Sequence, residues 1–149
     1  MTAPAKPRRQ RAVAASATAA AAVTASAETR RVLDSPCWLE FFADSAQADH
    51  FASAIEAVDT LVVPVLTVYE VVKKLAREAG DETAAAALGL MQRGQVVPID
   101  LNLALAAAVN GLPMADSLIY ATARQHGAEL WTQDRHFQGL PGVKFFAKP

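Results

Sequence analysis

The chain has 149 residues, enough for one ordinary hydrophobic core and too few for two comfortable domains. Its net charge is -1, but residues 1–29 carry four basic residues against one acid, so by subtraction the remainder carries -4. An acidic body argues against binding nucleic acid over its whole surface, although a local basic rim could still steer a phosphate backbone. The single cysteine, Cys37, excludes an intramolecular disulfide and a CxxC zinc site, and His50, His126 and His136 show no zinc-binding spacing.

Residues 1–30 differ in composition from the rest of the chain. A basic stretch ending at Arg11 is followed by sixteen uncharged residues, ten of them alanine. The arrangement faintly resembles a secretory signal with residues 25–27 as its cleavage site, but it is shorter than the ~20 residues of a membrane span. Alanine is only weakly apolar, so we interpret residues 1–30 as a disordered or loosely helical low-complexity tail and residues 31–149 as the folded domain.

Strand and helix patterns alternate after the tail. Residues 32–33 predict a short strand that begins only after Arg30 and Arg31, since burying unpaired arginines in a central strand would be costly. Pro36 suits the first turn of the helix that follows, where a missing N–H does no harm. A second amphipathic helix is expected over residues 48–58.

The second half of the chain continues this alternation. Residues 61–66 form a continuous apolar run, typical of a strand covered on both faces, with Pro64 near its end. Thr67 can cap the next helix, with Glu70 at the spacing of a capping box. Further helices are expected over residues 82–93, 101–109 and 114–126, and further strands over residues 95–100, 129–132 and 143–146. This order predicts a mostly parallel central sheet in a three-layer α/β/α sandwich.

Four acids, Asp34, Glu70, Asp116 and Asp134, fall where a predicted strand ends or a predicted helix begins. Each has an ordinary structural explanation as a turn residue, half of a capping box or a complement to a helix dipole. Together, however, they should meet at the carboxyl rim of the sheet, where ligands bind. Without metal, like charges there should raise the pKa of at least one acid. Oxygen ligands on one rim suit Mg²⁺ or Mn²⁺, which predicts a metal-dependent phosphodiesterase.

Four segments around these acids, residues 32–35, 64–71, 112–123 and 130–137, resemble the PIN-domain ribonucleases, in particular the VapC toxins. The resemblance covers roughly residues 31 to 147. It implies a PIN-like fold and a cytoplasmic Mg²⁺- or Mn²⁺-dependent endoribonuclease that cleaves RNA, is inhibited by a VapB-type antitoxin, forms a homodimer and has no membrane partner. By position, it implies that Asp34, Glu70, Asp116 and Asp134 bind metal, with Ser35 and Thr132 as supporting hydroxyls.

Two alternatives remain open. A catalytically silent PIN-like protein would keep the fold and bind an antitoxin, because Pro36 and Cys37 follow Ser35 where the family has a further hydroxyl. A phosphatase of the haloacid dehalogenase type also begins with a strand and an Asp, but it needs a second Asp at the position of Pro36.

Overall fold

A five-stranded sheet forms the centre of the protein, whose computed structural model describes residues 28–149. The strands are β1 (Arg30–Leu33), β2 (Leu61–Pro64), β3 (Gln95–Val97), β4 (Ala128–Thr132) and β5 (Val143–Phe145). Their order is β3-β2-β1-β4-β5, and all four neighbouring pairs are parallel. The predicted parallel sheet is therefore confirmed, while most of the tail predicted for residues 1–30 lies outside the described residues.

Six helices connect the strands: α1 (Ser35–Phe42), α2 (Ala48–Glu56), α3 (Val65–Ala79), α4 (Asp81–Met91), α5 (Leu101–Ala108) and α6 (Met114–Gln125). Short 3₁₀ turns follow α2 at Val58–Thr60 and β4 at Arg135–Phe137. Gly80 separates α3 from α4 with a φ of 93°, a conformation that a side chain would disfavour. Within residues 28–149, no helix combines the length and the apolar character that crossing a bilayer requires.

The sheet buries side chains on both faces, because successive residues of a strand point to opposite sides. In β2, Leu61 and Val63 pack into one core cluster with Phe51 of α2, whereas Val62 packs into another with Ile119 of α6. Helices α1 to α4 contribute to the first cluster, and α5 packs against α6 beyond the second. The sheet thus lies between two helical layers, as a three-layer sandwich requires.

Strand β1 includes both arginines, so the prediction that it begins at Val32 is wrong. The Arg31 guanidinium lies over the Trp131 ring, with Cζ 5.2 Å from the ring centroid. The Arg30 guanidinium donates a hydrogen bond to the side chain of Gln95. Both arginines stay half-buried. Arg30 therefore keeps a hydrogen bond and Arg31 keeps a cation–π contact, and these contacts offset part of the desolvation cost, although Arg31 Nε is buried without a hydrogen-bond partner.

The predicted Thr67 cap is also wrong, because α3 begins at Val65 and Thr67 is therefore the third residue of the helix. Pro64 occupies the N-cap position with extended backbone, at φ -61° and ψ 137°, so strand β2 passes directly into the helix. Thr67 is fully buried within the first turns of α3. Glu70 consequently takes no part in a capping box.

Strand β3 ends at Val97 rather than at residue 100, because Pro98 has no N–H for the ladder. Asp100 instead caps α5, and its Oδ1 accepts a hydrogen bond from the Leu103 N–H at 2.8 Å. Apart from the start of α3, the helix bounds and the bounds of β4 and β5 lie within two residues of those expected from the sequence.

Gly94 and Gly89 allow a matched test of the packing beside β2. A Cβ at Gly94 would lie 2.9 Å from the Leu61 carbonyl oxygen, whereas one at exposed Gly89 in α4 would meet nothing within 4 Å. We expect Gly94→Ala to lower the free energy of unfolding by about 1–3 kcal/mol, because the chain must shift. Gly89→Ala should raise it by about 0.5–1 kcal/mol, because alanine loses less backbone entropy in a helix. Urea unfolding measures both, and an unchanged stability in Gly94→Ala would contradict the close approach to β2.

Candidate metal centre

The four predicted acids line one cavity of about 430 Å³. Asp34 directly follows β1, and Asp134 follows β4, its neighbour in the sheet. Glu70 lies in the second turn of α3, and Asp116 lies in the first turn of α6. Because β1 and β4 are parallel, their carboxyl ends bring Asp34 and Asp134 to the same rim. The structure thus brings all four residues together.

Asp34 is the most deeply buried of the four acids, with 4 % of its surface exposed. Its Oδ1 accepts a hydrogen bond from the Ser35 N–H, and its Oδ2 accepts one from the Thr132 hydroxyl, both at 2.9 Å. Thr132 Oγ1 in turn accepts a hydrogen bond from the Asp134 N–H at 2.9 Å. The Asp34 N–H donates to the Trp131 carbonyl oxygen at 2.9 Å. One hydroxyl therefore links the first acid to the last.

Ser35 connects Asp34 to the third helix. Its hydroxyl donates a hydrogen bond to Glu70 Oε1 at 2.6 Å, while its own N–H contacts Asp34. Glu70, which has no capping role, is thereby held toward the end of β1. The two hydroxyls that the sequence singles out, those of Ser35 and Thr132, each contact a predicted acid.

A histidine joins the other two acids. His136 Nδ1 lies 2.9 Å from Asp116 Oδ2 and 3.4 Å from Asp134 Oδ1, and the His136 N–H donates to that Asp134 oxygen at 2.9 Å. One ligand atom from each of the three residues lies within 4.8 Å of the other two, so the trio could hold a metal ion. Nothing in the spacing of His136 predicts its contact with Asp116. Its place two residues after Asp134 is the one sequence signal that could have found it.

Burial and neighbouring charges shift two pKa values at this site. The pKa of Asp34 is raised from 3.8 to about 6, chiefly by burial and further by the charges of Asp116 and Glu70, against the lowering effect of its two hydrogen bonds. A raised carboxyl pKa was expected, but desolvation outweighs like-charge repulsion as its cause. The hydrogen bond to the Asp116 carboxylate raises the pKa of the exposed His136 imidazole, and the charge of Asp134 adds to this rise.

Asp34→Asn should reveal the cost of this buried charge. Because the folded-state pKa is raised, protonated Asp34 contributes stability below about pH 4, and that contribution is lost as the pH rises through about 6. A rise of about two pKa units corresponds to roughly 3 kcal/mol. In metal-free buffer, we expect Asp34→Asn to be more stable than the parent by up to that amount at pH 8 and equally stable at pH 4.

Urea unfolding in EDTA at the two pH values measures this difference. Asp100→Asn is the matched control, because Asp100 is an exposed helix cap and asparagine caps equally well. The free energy of unfolding of Asp100→Asn should equal that of the parent at both pH values. Equal stability of the parent and Asp34→Asn at pH 8 would contradict a buried, costly carboxylate.

Comparison with known proteins adds to this geometry. The family model of the PIN domain matches residues 31–143. Among curated proteins, no sequence matches at a significant level.

Several solved structures share the fold. A toxin–antitoxin complex from Klebsiella pneumoniae aligns with a TM-score of 0.68 at 21 % identity, covering 79 % of this chain and 99 % of that one. VapC20 from Mycobacterium tuberculosis, a sarcin-ricin loop cleaving toxin, aligns with a TM-score of 0.63 at 18 % identity, covering 76 % and 96 %. DNA-bound VapBC from Salmonella typhimurium aligns with a TM-score of 0.60 at 16 % identity, covering 80 % and 98 %. Since the family match spans most of the chain and the fold agrees with it, this protein belongs to the PIN domain family.

Proposed function

We propose that this protein is a Mg²⁺- or Mn²⁺-dependent endoribonuclease that acts as the toxin of a toxin–antitoxin pair. The observation that carries the proposal is the convergence of Asp34, Glu70, Asp116 and Asp134 on one cavity. Membership of the PIN domain family supports it. So does the likeness in fold to a sarcin-ricin loop cleaving toxin and to a toxin–antitoxin complex.

The donor set fits a divalent cation. Asp116, Asp134 and His136 bring two carboxylates and an imidazole within 4.8 Å of one another, and Asp34 and Glu70 add carboxylates in the same cavity. Carboxylate oxygens suit Mg²⁺ and Mn²⁺, and a nitrogen ligand would favour Mn²⁺ over Mg²⁺. When bound, such an ion would polarise the scissile phosphate and lower the pKa of the attacking water.

The chain's own residues prepare the acids for this role. Thr132 donates its hydroxyl to the Asp34 carboxylate and accepts the backbone N–H of Asp134, so it fixes the Asp34 side chain relative to the Asp134 backbone. Ser35 holds Glu70 in the same way. His136 Nδ1 contacts the carboxylates of Asp116 and Asp134 and so restrains both side chains. Such support keeps metal ligands within the ~1 Å tolerance that catalytic geometry demands.

The proposal also names partners. RNA is the substrate, and a VapB-type antitoxin inhibits the enzyme by analogy with the similar toxin–antitoxin structures. A toxin of this kind acts on cellular RNA, so we place it in the cytoplasm.

Asp116→Asn should abolish RNA cleavage while leaving the fold intact, because it removes the charge of a metal ligand and keeps the side-chain shape. Cleavage of single-stranded RNA with Mn²⁺ is the first readout. The second is the melting temperature, which millimolar Mn²⁺ should raise in the parent more than in Asp116→Asn, since an ion that binds the folded state stabilises it. Asp49→Asn, an exposed acid of α2, is the matched control and should behave like the parent.

Cleavage that survives in Asp116→Asn would refute the proposed site. The silent antitoxin-binding protein is the second candidate, favoured by Pro36, which lines the cavity beside Ser35. It predicts no cleavage and no Mn²⁺-induced rise in melting temperature in the parent, but binding of the antitoxin.

We further infer a homodimer formed through the outer face of α5. Leu101, Leu105 and Val109, four residues apart along this face, are each more than 60 % exposed, and so is Met114 at the start of α6. Residues 101–115 contain no charged residue, so two copies of this face can meet without like-charge repulsion. In a two-fold dimer the same patch serves both subunits, which suits an apolar, uncharged surface.

Leu105→Glu should convert the dimer to a monomer, because it places two like charges in the contact. Light scattering coupled to size-exclusion chromatography measures the molar mass. Ala85→Glu, on the exposed side of α4, adds the same charge elsewhere and should leave the mass unchanged. A monomeric parent at micromolar concentration would contradict the dimer.

A further inference from the structure

The acidic cavity has a second wall, which is basic and aromatic. Helix α3 contributes Glu70 to the acids, but also lines the cavity with Tyr69, Lys73, Lys74 and Arg77. Residues 69, 73 and 77 are each four apart, so they form one stripe along the helix. The stripe rises by about 12 Å, roughly the length of three or four stacked nucleotides.

The positive charge of this stripe is concentrated rather than typical of the surface. Residues 30–149 carry a net charge of -4 with only ten lysines and arginines, and three of the ten line this cavity. Within the described residues, Arg77 has no carboxylate within 4 Å, and Lys74 has only an exposed contact of 3.8 Å with Glu78. The charges of Lys73 and Arg77 are therefore available to an anionic ligand.

Tyr69 is an aromatic ring that the core does not use. It is 57 % exposed, although it lies on the helix that carries Glu70 into the site. Lys73 holds the ring on one side, with Nζ donating to the Tyr69 hydroxyl at 3.1 Å and lying 5.2 Å from the ring centroid. A ring that is oriented and still exposed is suited to stack on a flat ligand.

We propose that Tyr69, Lys73 and Arg77 form a subsite for single-stranded RNA that leads the strand to the acids. A base stacks on the Tyr69 ring, and the adjoining phosphates contact Lys73 and Arg77. Exposed aromatic rings beside a basic groove are the usual way in which proteins hold single strands. The bases of an RNA duplex are already stacked and paired, so they cannot reach the ring. This inference rests on the proposed ribonuclease function and adds the residues that select the form of the substrate.

An acidic protein segment is the competing occupant of this wall. It would use the cations but would gain little from the Tyr69 ring, whereas RNA uses the ring and the cations together. The combination of ring and charge at helical spacing therefore favours RNA.

Binding in EDTA tests the subsite independently of cleavage. Fluorescence anisotropy would follow a labelled single-stranded RNA of about twelve nucleotides, within the range of known single-strand sites, and the same sequence as a duplex. We expect tighter binding of the single strand. Tyr69→Ala should weaken it by about five- to tenfold, and Tyr69→Phe should bind like the parent, because the ring is kept.

Salt dependence tests the two cations. Lys73→Ala combined with Arg77→Ala should reduce the slope of log affinity against log salt by about 1.4, which is about 0.7 for each lost phosphate contact on a single strand. Arg93→Ala combined with Lys148→Ala removes the same charge from exposed positions outside the cavity and should leave the slope unchanged. Melting temperatures confirm that each variant is folded.

The outcomes separate this inference from the proposed function. RNA binding that depends on Tyr69, without any cleavage in Mn²⁺, would keep the subsite and refute the ribonuclease. Cleavage in the parent, with RNA affinity unchanged in the Tyr69 and Lys73–Arg77 variants, would keep the ribonuclease and overturn the subsite. Absent binding of single-stranded RNA by the parent would also overturn it. A third result would overturn it as well: the Lys73–Arg77 variant keeps its RNA affinity but no longer binds a labelled polyglutamate peptide. That result would assign the wall to an acidic protein.

Discussion

The parallel pairing of β1 with β4 is the constraint on which the site depends. Its register sets Leu33 opposite Trp131, so the residues that follow the two strands emerge side by side. The Asp34 N–H continues this ladder to the Trp131 carbonyl oxygen, and the Thr132 hydroxyl then joins Asp34 to Asp134. A slip of one residue would turn every side chain of β1 to the opposite face of the sheet. The position of the first acid is therefore a property of the sheet and not of a loop.

Gathering these acids opposes folding, and the rest of the molecule offsets that cost. Asp34 is buried where its charged form is disfavoured, which makes the rim a locally destabilised part of the protein. Two apolar clusters, one on each face of the sheet, supply the compensating burial. Because the clusters lie beneath the rim and the acids lie on it, stability and chemistry are assigned to separate parts of the fold.

The sequence predicted most of the architecture because its signals are local. Apolar runs, the proline and glycine breaks and the 3.6-residue period depend only on neighbours along the chain. Apart from the start of α3, these signals placed the helices to within two residues. One failure is local, because Pro64 takes the N-cap position that Thr67 was expected to fill. The other failures arose where distant contacts decide. Arg31 enters β1 because Trp131, one hundred residues away, receives its guanidinium. His136 was missed for the same reason, since its contact with Asp116 exists only after α6 and β4 have packed.

The hydrogen bonds around Asp34 also tie it to both tryptophans of the chain. The Asp34 backbone N–H donates to the backbone carbonyl of Trp131, and the Asp34 backbone carbonyl accepts the backbone N–H of Trp38 at 3.4 Å. Both indoles are almost fully buried, so their emission responds to changes in the surrounding protein more than to solvent. A change in the charge or position of Asp34 would therefore act one backbone hydrogen bond away from each tryptophan, so intrinsic fluorescence offers a way to follow the acids without an added label.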